Sequence, residues 1–101
     1  MVHHVILWTL KPELEGEEKQ QVLRGIKEGL EGLKTVLPGV VDIKVNIGNR
    51  LDSANCDLML DSSFETEAYL KNYSRSPEHL AVANGKVRPY TVQRVCFDWQ
   101  D

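Results

Sequence analysis

The segment "NYSRSPEH" (72–79) carries two side chains that could perform acid–base chemistry, Tyr73 and His79. An imidazole titrates near ~6.5, so it can accept or deliver a proton at neutral pH. A phenol can hydrogen-bond to a carbonyl oxygen as that oxygen gains negative charge. Two alternatives stay open: His79 as a surface or satisfied core histidine, and Tyr73 as an ordinary core aromatic residue.

The residues between the two rings predict a bend. Proline disfavours helical backbone at the residue before it, so Pro77 should end one helix at Ser76. Ser76 can then act as the N-cap and Pro77 as the first residue of a short new helix, with His79 in its first turn. Burial and the helix N-terminus both disfavour a charged imidazole there, so we expect the pKa of His79 to lie below its ordinary value.

Composition and charge exclude several classes of protein. The 101 residues are enough for one domain, 1–101, and the net charge of −3 argues against nucleic-acid binding. No apolar run is long enough to span a membrane. Cys56 and Cys96 form no CxxC motif, which is typical of a reduced, cytoplasmic protein. There is no phosphate-binding GxxxxGK[ST] motif, and a three-histidine metal site is not expected, because His3 and His4 point to opposite faces of a strand. We therefore expect no cofactor and no metal.

Hydrophobic periodicity predicts the elements that position these groups. Residues 2–10 indicate a strand with two largely apolar faces, one of which carries His4, Ile6 and Trp8. Residues 16–37 indicate a long amphipathic helix whose apolar stripe includes Ile26 and Leu30. Gly25, Gly29 and Gly32 recur along this helix. They either form a smooth strip that lets the helix pack closely against another surface, or are glycines that the helix tolerates because tertiary packing stabilises it.

The second half of the chain predicts two strands, a broken helix and a closing strand. The strand over 40–48 should turn alternate residues inward: Val41, Ile43, Val45 and Ile47. A strand over 56–64, a helix over 65–73 with a break at 74–77, and a strand over 90–99 follow. The order β-α-β-β-α-β is the α+β, ferredoxin-like pattern, with a four-stranded antiparallel sheet in the order 4-1-3-2. The third and fourth strands then flank the first, so Cys56 and Cys96 should lie too far apart to pair.

The apolar second face of the first strand indicates a partner surface. A sheet with helices on one side should present a polar face on the other. A second copy of the chain is the simplest cover, so we expect a homodimer.

Four motifs in order resemble the stress-responsive dimeric A/B barrel (Dabb) domain family: "HHVILWTLK", "LPGV", "SSFETEAYLKNYSRSPEH" and "CFDW". The resemblance covers nearly the whole chain. It implies a homodimer whose two sheets pack face to face into an α+β barrel. Some plant members are cofactor-free polyketide cyclases, and their functional positions match Tyr73, His79 and His4 here.

The resemblance implies that these three side chains meet at an apolar pocket. The residues expected to line that pocket and contact a substrate are Ile6, Trp8, Ile26 and Leu30. The first helix lacks the larger aromatic residues of the cyclases, which suggests a smaller cavity. Two functions stay open: a cofactor-independent enzyme acting on a small apolar carbonyl or polyketide-like compound, and a non-catalytic, small-ligand-binding or stress-related dimeric domain.

Overall fold

The computed structural model describes residues 1–101, which form one sheet covered on one side by helices. The strands are β1 (Val2–Leu10), β2 (Val40–Asn46), β3 (Leu58–Phe64) and β4 (Thr91–Gln100). The helices are α1 (Gly16–Glu31), α2 (Glu67–Arg75) and α3 (Pro77–Val82). A 3-10 turn (Gly32–Thr35) follows α1, while a π turn (Ala83–Val87) and a 3-10 turn (Arg88–Tyr90) join α3 to β4. None of these helices is both long and apolar enough to cross a bilayer.

The sheet has the predicted ferredoxin-like topology. Its strand order is β2-β3-β1-β4, and every neighbouring pair is antiparallel. The even-numbered residues of β1 are buried against the helices and the odd-numbered residues are partly exposed on the other face. Cys56 and Cys96 carry free thiols, as the strand order predicted.

Helix α1 covers the sheet through its apolar stripe. Leu23, Ile26 and Leu30 are buried in the core. The Glu31 carboxylate accepts hydrogen bonds from the Val45 backbone N–H (2.8 Å) and from Lys27 Nζ (2.7 Å), which ties the end of α1 to β2. Because both bonds are made to one carboxylate, they fix the end of the helix relative to the strand.

Two glycines allow close approach between elements. Gly39 has φ +74°, and a Cβ there would lie 2.0 Å from Tyr69 Cγ, so only glycine fits this turn into β2. A Cβ on Gly29 would lie 2.9 Å from Cγ1 of Val82, whereas Gly25 and Gly32 face open space. The packing-strip interpretation therefore holds at Gly29 alone.

The inward position predicted for Val41 is wrong. The pairing of β2 with β3 shifts between Val40 and Asp42, and Val41 is 39% exposed. The extra residue at this bulge reverses the alternation at the start of the strand, which sequence alternation alone cannot show. Ile43 and Val45 are buried as predicted.

Candidate acid–base site

Ser76 joins α2 to α3 and sets the path of the chain between Tyr73 and His79. Its hydroxyl accepts a hydrogen bond from the His79 backbone N–H (3.1 Å) and donates one to the Tyr73 carbonyl (2.9 Å). Ser76 is buried, and Pro77 is the first residue of α3. The predicted helix break and the predicted N-cap are both confirmed.

The bend brings three side chains of the sequence prediction together. The rings of Tyr73 and His79 have centroids 4.6 Å apart, and the ring of His4 lies 6.4 Å from that of Tyr73. Phe64 packs against Tyr73 with its centroid 5.0 Å away. Tyr73 and His4 are buried, and His79 is half-buried. The three polar groups therefore occupy one region between the sheet and the helices.

Two buried polar atoms at this place lack a protein partner: Oη of Tyr73 and Nδ1 of His79. A buried polar atom without a hydrogen bond costs about 1–3 kcal/mol, and most such atoms in folded proteins are satisfied. Both belong to the same pair of neighbouring rings, whose planes are tilted by 47°. The two rings therefore bring two unsatisfied hydrogen-bonding groups to one place in the fold.

Burial changes the pKa of both rings. It lowers the pKa of His79 below the ordinary value, and the positive charges of Arg88 and Arg94 and a charged His4 act in the same direction. The backbone of Ser74 lies near the ring and offsets part of this shift without forming a hydrogen bond of good geometry. Burial raises the pKa of Tyr73 to about 12. At neutral pH His79 is therefore a neutral base and Tyr73 a protonated donor.

His4 is held by Asp98, a residue that the sequence prediction did not assign to the site. The two are direct cross-strand partners, and Nδ1 of His4 is hydrogen-bonded to the Asp98 carboxylate. The "CFDW" motif contains Asp98, but its role depends on the register between β1 and β4. That pairing leaves Nε2 as the free ring nitrogen of His4.

Cys96 adds a third potential metal ligand beside this pair. The donor atoms of His4, Cys96 and Asp98 all lie within 4.8 Å of one another. His4 and Asp98 are already bonded to each other, so a metal would have to separate them. Burial raises the pKa of the Cys96 thiol, with the Asp98 carboxylate acting in the same direction, and this disfavours a nucleophilic thiolate.

A cavity of about 170 Å³ adjoins the histidines. It is lined by five residues of the sequence prediction: His4, Ile6, Trp8, Leu30 and His79. Ile26 is fully buried in the core and does not line it, because α1 turns that side chain toward the sheet interior. Tyr73 is likewise absent from the lining and packs against His79 instead.

Four polar residues of the lining were missed from the sequence. They are Ser74, Arg88, Thr91 and Arg94. Thr91 and Arg94 lie in β4, which the sequence assigned only to the sheet, and Arg88 lies in the 3-10 turn before it, outside the predicted strand over 90–99. The place of Arg88 at the cavity follows from the π turn and the 3-10 turn after α3, for which the sequence shows no clear signal, and that of Arg94 follows from the pairing of β4 with β1.

Solved structures share this arrangement of elements. A dimeric protein of unknown function from Bacteroides fragilis superposes with a TM-score of 0.90 at 27% identity, over 99% of this chain and 95% of that chain. A Dabb family protein from Mesorhizobium loti superposes with a TM-score of 0.75 at 17% identity, over 99% and 95%. A hydroxynitrile lyase from Passiflora edulis gives 0.72 at 18% identity, over 97% and 90%. The likeness to the last two shows the fold alone.

Sequence comparison supplies the family. Curated protein sequences give no match. The family described as Stress responsive A/B Barrel Domain matches residues 2–101, which is nearly the whole chain. The match includes β1 and the broken helix, which carry the three candidate site residues, and β4, which carries Asp98. The chain therefore belongs to the stress-responsive A/B barrel domain family.

Proposed function

We propose that this protein is a cofactor-independent enzyme that moves protons on a small carbonyl compound. His79 would act as the general base and acid, and Tyr73 would donate a hydrogen bond to the carbonyl oxygen. The observation that carries the proposal is the pair of buried, unpartnered atoms, Tyr73 Oη and His79 Nδ1, on rings whose centroids are 4.6 Å apart.

The chemistry follows from the protonation states. A neutral His79 takes a proton from the carbon next to the carbonyl group, and the electron pair of the broken C–H bond moves into an enolate whose charge lies mainly on oxygen. Tyr73, with a pKa of about 12, keeps its proton and donates to that oxygen as the charge develops. Protonated His79 then returns the proton to carbon or delivers it to another atom of the product.

His4 would position the substrate rather than exchange its proton. Its Nδ1 is engaged by Asp98, so Nε2 is the atom free to contact a ligand. Asp98 fixes the ring orientation, as a carboxylate does for a catalytic histidine in many enzymes. Ile6, Trp8 and Leu30 would form the apolar wall of the substrate site.

The size of the cavity supports a small substrate. The volume of the cavity is about 170 Å³. This is below the ~300 Å³ at which drug-sized ligand sites begin. A polyketide-like compound therefore fits less well than a short carbonyl compound. A larger groove of about 490 Å³ between α2 and β4 is more open and does not include His79.

We also propose a homodimer. The face of the sheet opposite the helices exposes Val95, Phe97 and Trp99, with Phe97 67% exposed. Val5 and Leu7 pair in register with Phe97 and Val95, so the apolar patch is continuous across β1 and β4. Solved structures of the same fold from Bacteroides fragilis and Thermobifida fusca are described as dimeric. Face-to-face packing of two such sheets would cover the patch.

The enzymatic proposal can be tested by proton–deuterium exchange. Short ketones, aldehydes and oxo acids would be incubated with the protein in D₂O, and loss of the α-proton signal followed by ¹H NMR. We expect exchange above the buffer rate for at least one compound, and its loss in His79→Gln. Tyr73→Phe should also slow the exchange, and Tyr90→Phe is its control, since Tyr90 is 36% exposed whereas Tyr73 is buried against His79.

Each outcome decides between the two functions. Exchange that persists in His79→Gln at the wild-type rate would overturn the assignment of the base. Saturable binding without exchange by any compound would support the alternative, a ligand-binding domain without turnover, and would end the enzymatic proposal.

A further inference from the structure

The cavity beside His79 carries positive charge in a protein that is negative overall. The chain has a net charge of −3, yet the lining contains two arginines, Arg88 and Arg94, and no aspartate or glutamate. Neither guanidinium takes part in any of the ion pairs of the chain. Arg88 bonds only to the neutral side-chain oxygen of Asn84. Two cations at one cavity without an anionic partner favour the binding of an anionic ligand.

The fold brings the two arginines to the cavity from adjacent elements. Arg88 begins the 3-10 turn that leads into β4, and Arg94 pairs with Trp8 across β1 and β4. Thr91, between them in sequence, also lines the cavity, and its hydroxyl donates to the Val87 carbonyl (3.2 Å). Both arginines are exposed, so they lie where the cavity meets solvent and the apolar wall lies behind them.

We propose that the cavity binds a short-chain oxo acid, with the carboxylate held by Arg88 and Arg94 and the carbonyl group directed toward His79. A planar carboxylate matches the fork of a guanidinium, and two guanidiniums can share its two oxygens. The orientation of the carbonyl group toward His79 rests on the proposed function. The binding of the carboxylate rests on the positive charge of the cavity lining. A three-carbon oxo acid is among the smallest compounds that carry both groups, which suits a cavity of about 170 Å³.

The same geometry couples ligand binding to the protonation of His79. The charged and titratable groups that face the imidazole are Arg88, Arg94 and His4, and a positive charge on any of them acts in the same direction as burial. A carboxylate on the arginines would offset their charge and raise the pKa of His79 in the complex. By linkage, the ligand would bind more tightly when His79 is protonated. The bound substrate would thereby strengthen the base that acts on it.

Ligand titrations followed by ¹H–¹⁵N NMR at low ionic strength test this inference. The probes are pyruvate, acetone as its neutral counterpart of similar size, and inorganic phosphate. We expect pyruvate to bind at least about tenfold more tightly than acetone, and Arg88→Gln or Arg94→Gln each to weaken pyruvate about tenfold or more while leaving acetone unchanged. Arg24→Gln removes the same charge from an exposed site on α1 and should change neither affinity.

The ring resonances of His79 give a second readout. Saturating pyruvate should raise the pKa of His79 in the wild-type protein and should do so less in either arginine variant. Equal affinity for pyruvate and acetone, or pyruvate affinity unaffected by both arginine substitutions, would overturn the inference. Phosphate binding as tight as pyruvate would also overturn it, because the site would then select charge and not an oxo acid.

Failure of this inference is distinguishable from failure of the proposed function. If pyruvate binds through the arginines but no compound exchanges its α-proton, the proposed anion site is supported and the proposed enzymatic function is wrong. If acetone exchanges its α-protons in a reaction that requires His79, while the arginine variants bind pyruvate normally, the enzymatic function is supported and the anion site is wrong.

Discussion

The rings of Tyr73 and His79 lie with their centroids 4.6 Å apart although they belong to different helices. On an unbroken helix, residues six apart are rotated by about 120° and displaced by about 9 Å along the axis, so their side chains would not meet. The break at Ser76 and Pro77 removes this separation. The Ser76 hydroxyl, bonded to the backbone of both residues, holds the new geometry.

Loss of the Ser76 hydroxyl should destabilise the protein and disturb the site. Ser76→Ala removes the N-cap of α3 and leaves the His79 N–H without its acceptor, which should lower the free energy of unfolding by about 1 kcal/mol. Urea denaturation measures the change. Ser76→Thr retains the hydroxyl and is the matched control. An alanine variant as stable as the wild type would contradict the role given to the cap.

Removal of the Tyr73 hydroxyl should lower activity without lowering the stability of the protein. Oη has no partner in the protein, so Tyr73→Phe relieves a buried unsatisfied group and should leave stability unchanged or raise it by about 1 kcal/mol. Any turnover should fall by about 10²–10³, the usual effect of losing one hydrogen-bond donor to a developing oxyanion. Thermal unfolding and α-proton exchange measure the two effects. A destabilised variant would mean that the hydroxyl is satisfied in the folded protein.

The lowered pKa of His79 predicts the pH dependence of stability. The folded protein binds a proton at His79 less readily than the unfolded chain does. The contribution of neutral His79 to the free energy of unfolding is therefore fully present above the ordinary pKa near ~6.5. It is lost as the pH falls toward the lower pKa of the folded protein. The free energy of unfolding should fall less steeply over this window in His79→Gln. Identical slopes in both proteins would show that His79 titrates normally.

The pH dependence of activity should also be set by the protonation of His79. A general base works when unprotonated, so kcat/KM should stay high below pH ~6.5 and decline only near the lower pKa of His79. A pH–rate profile with its acidic limb at or above the ordinary histidine value would contradict the proposed base.

The exposed face of β4 should control the oligomeric state. Phe97→Glu places a charge in the centre of the apolar patch, so we expect it to convert a dimer into a monomer in sedimentation. Val36→Glu is the matched control, because Val36 is 57% exposed at the end of the 3-10 turn after α1, outside the sheet. A wild-type protein that is monomeric at micromolar concentration would refute the proposed homodimer.

The sequence by itself determined the features that depend on local periodicity and local sterics. The two-sided apolar pattern of β1, the stripe of α1 and the proline after Ser76 define element type, element order and the helix break. The order of elements leaves few ways to form an antiparallel sheet with helices on one side, so the topology followed as well. Tyr73, His79 and His4 could be selected because their residue types suit acid–base chemistry and their positions match a family pattern.

Only the tertiary structure decided which distant side chains meet. His4 faces Asp98 because of the register between β1 and β4, and a slip of one residue would turn Asp98 to the other face. The rotation of α1 placed Leu30 at the cavity and Ile26 in the core. The irregular turns after α3 brought Arg88 to the cavity, and the pairing of β4 brought Arg94 there. Register, helix rotation and irregular turns are set by packing between elements remote in sequence, so local patterns cannot specify them.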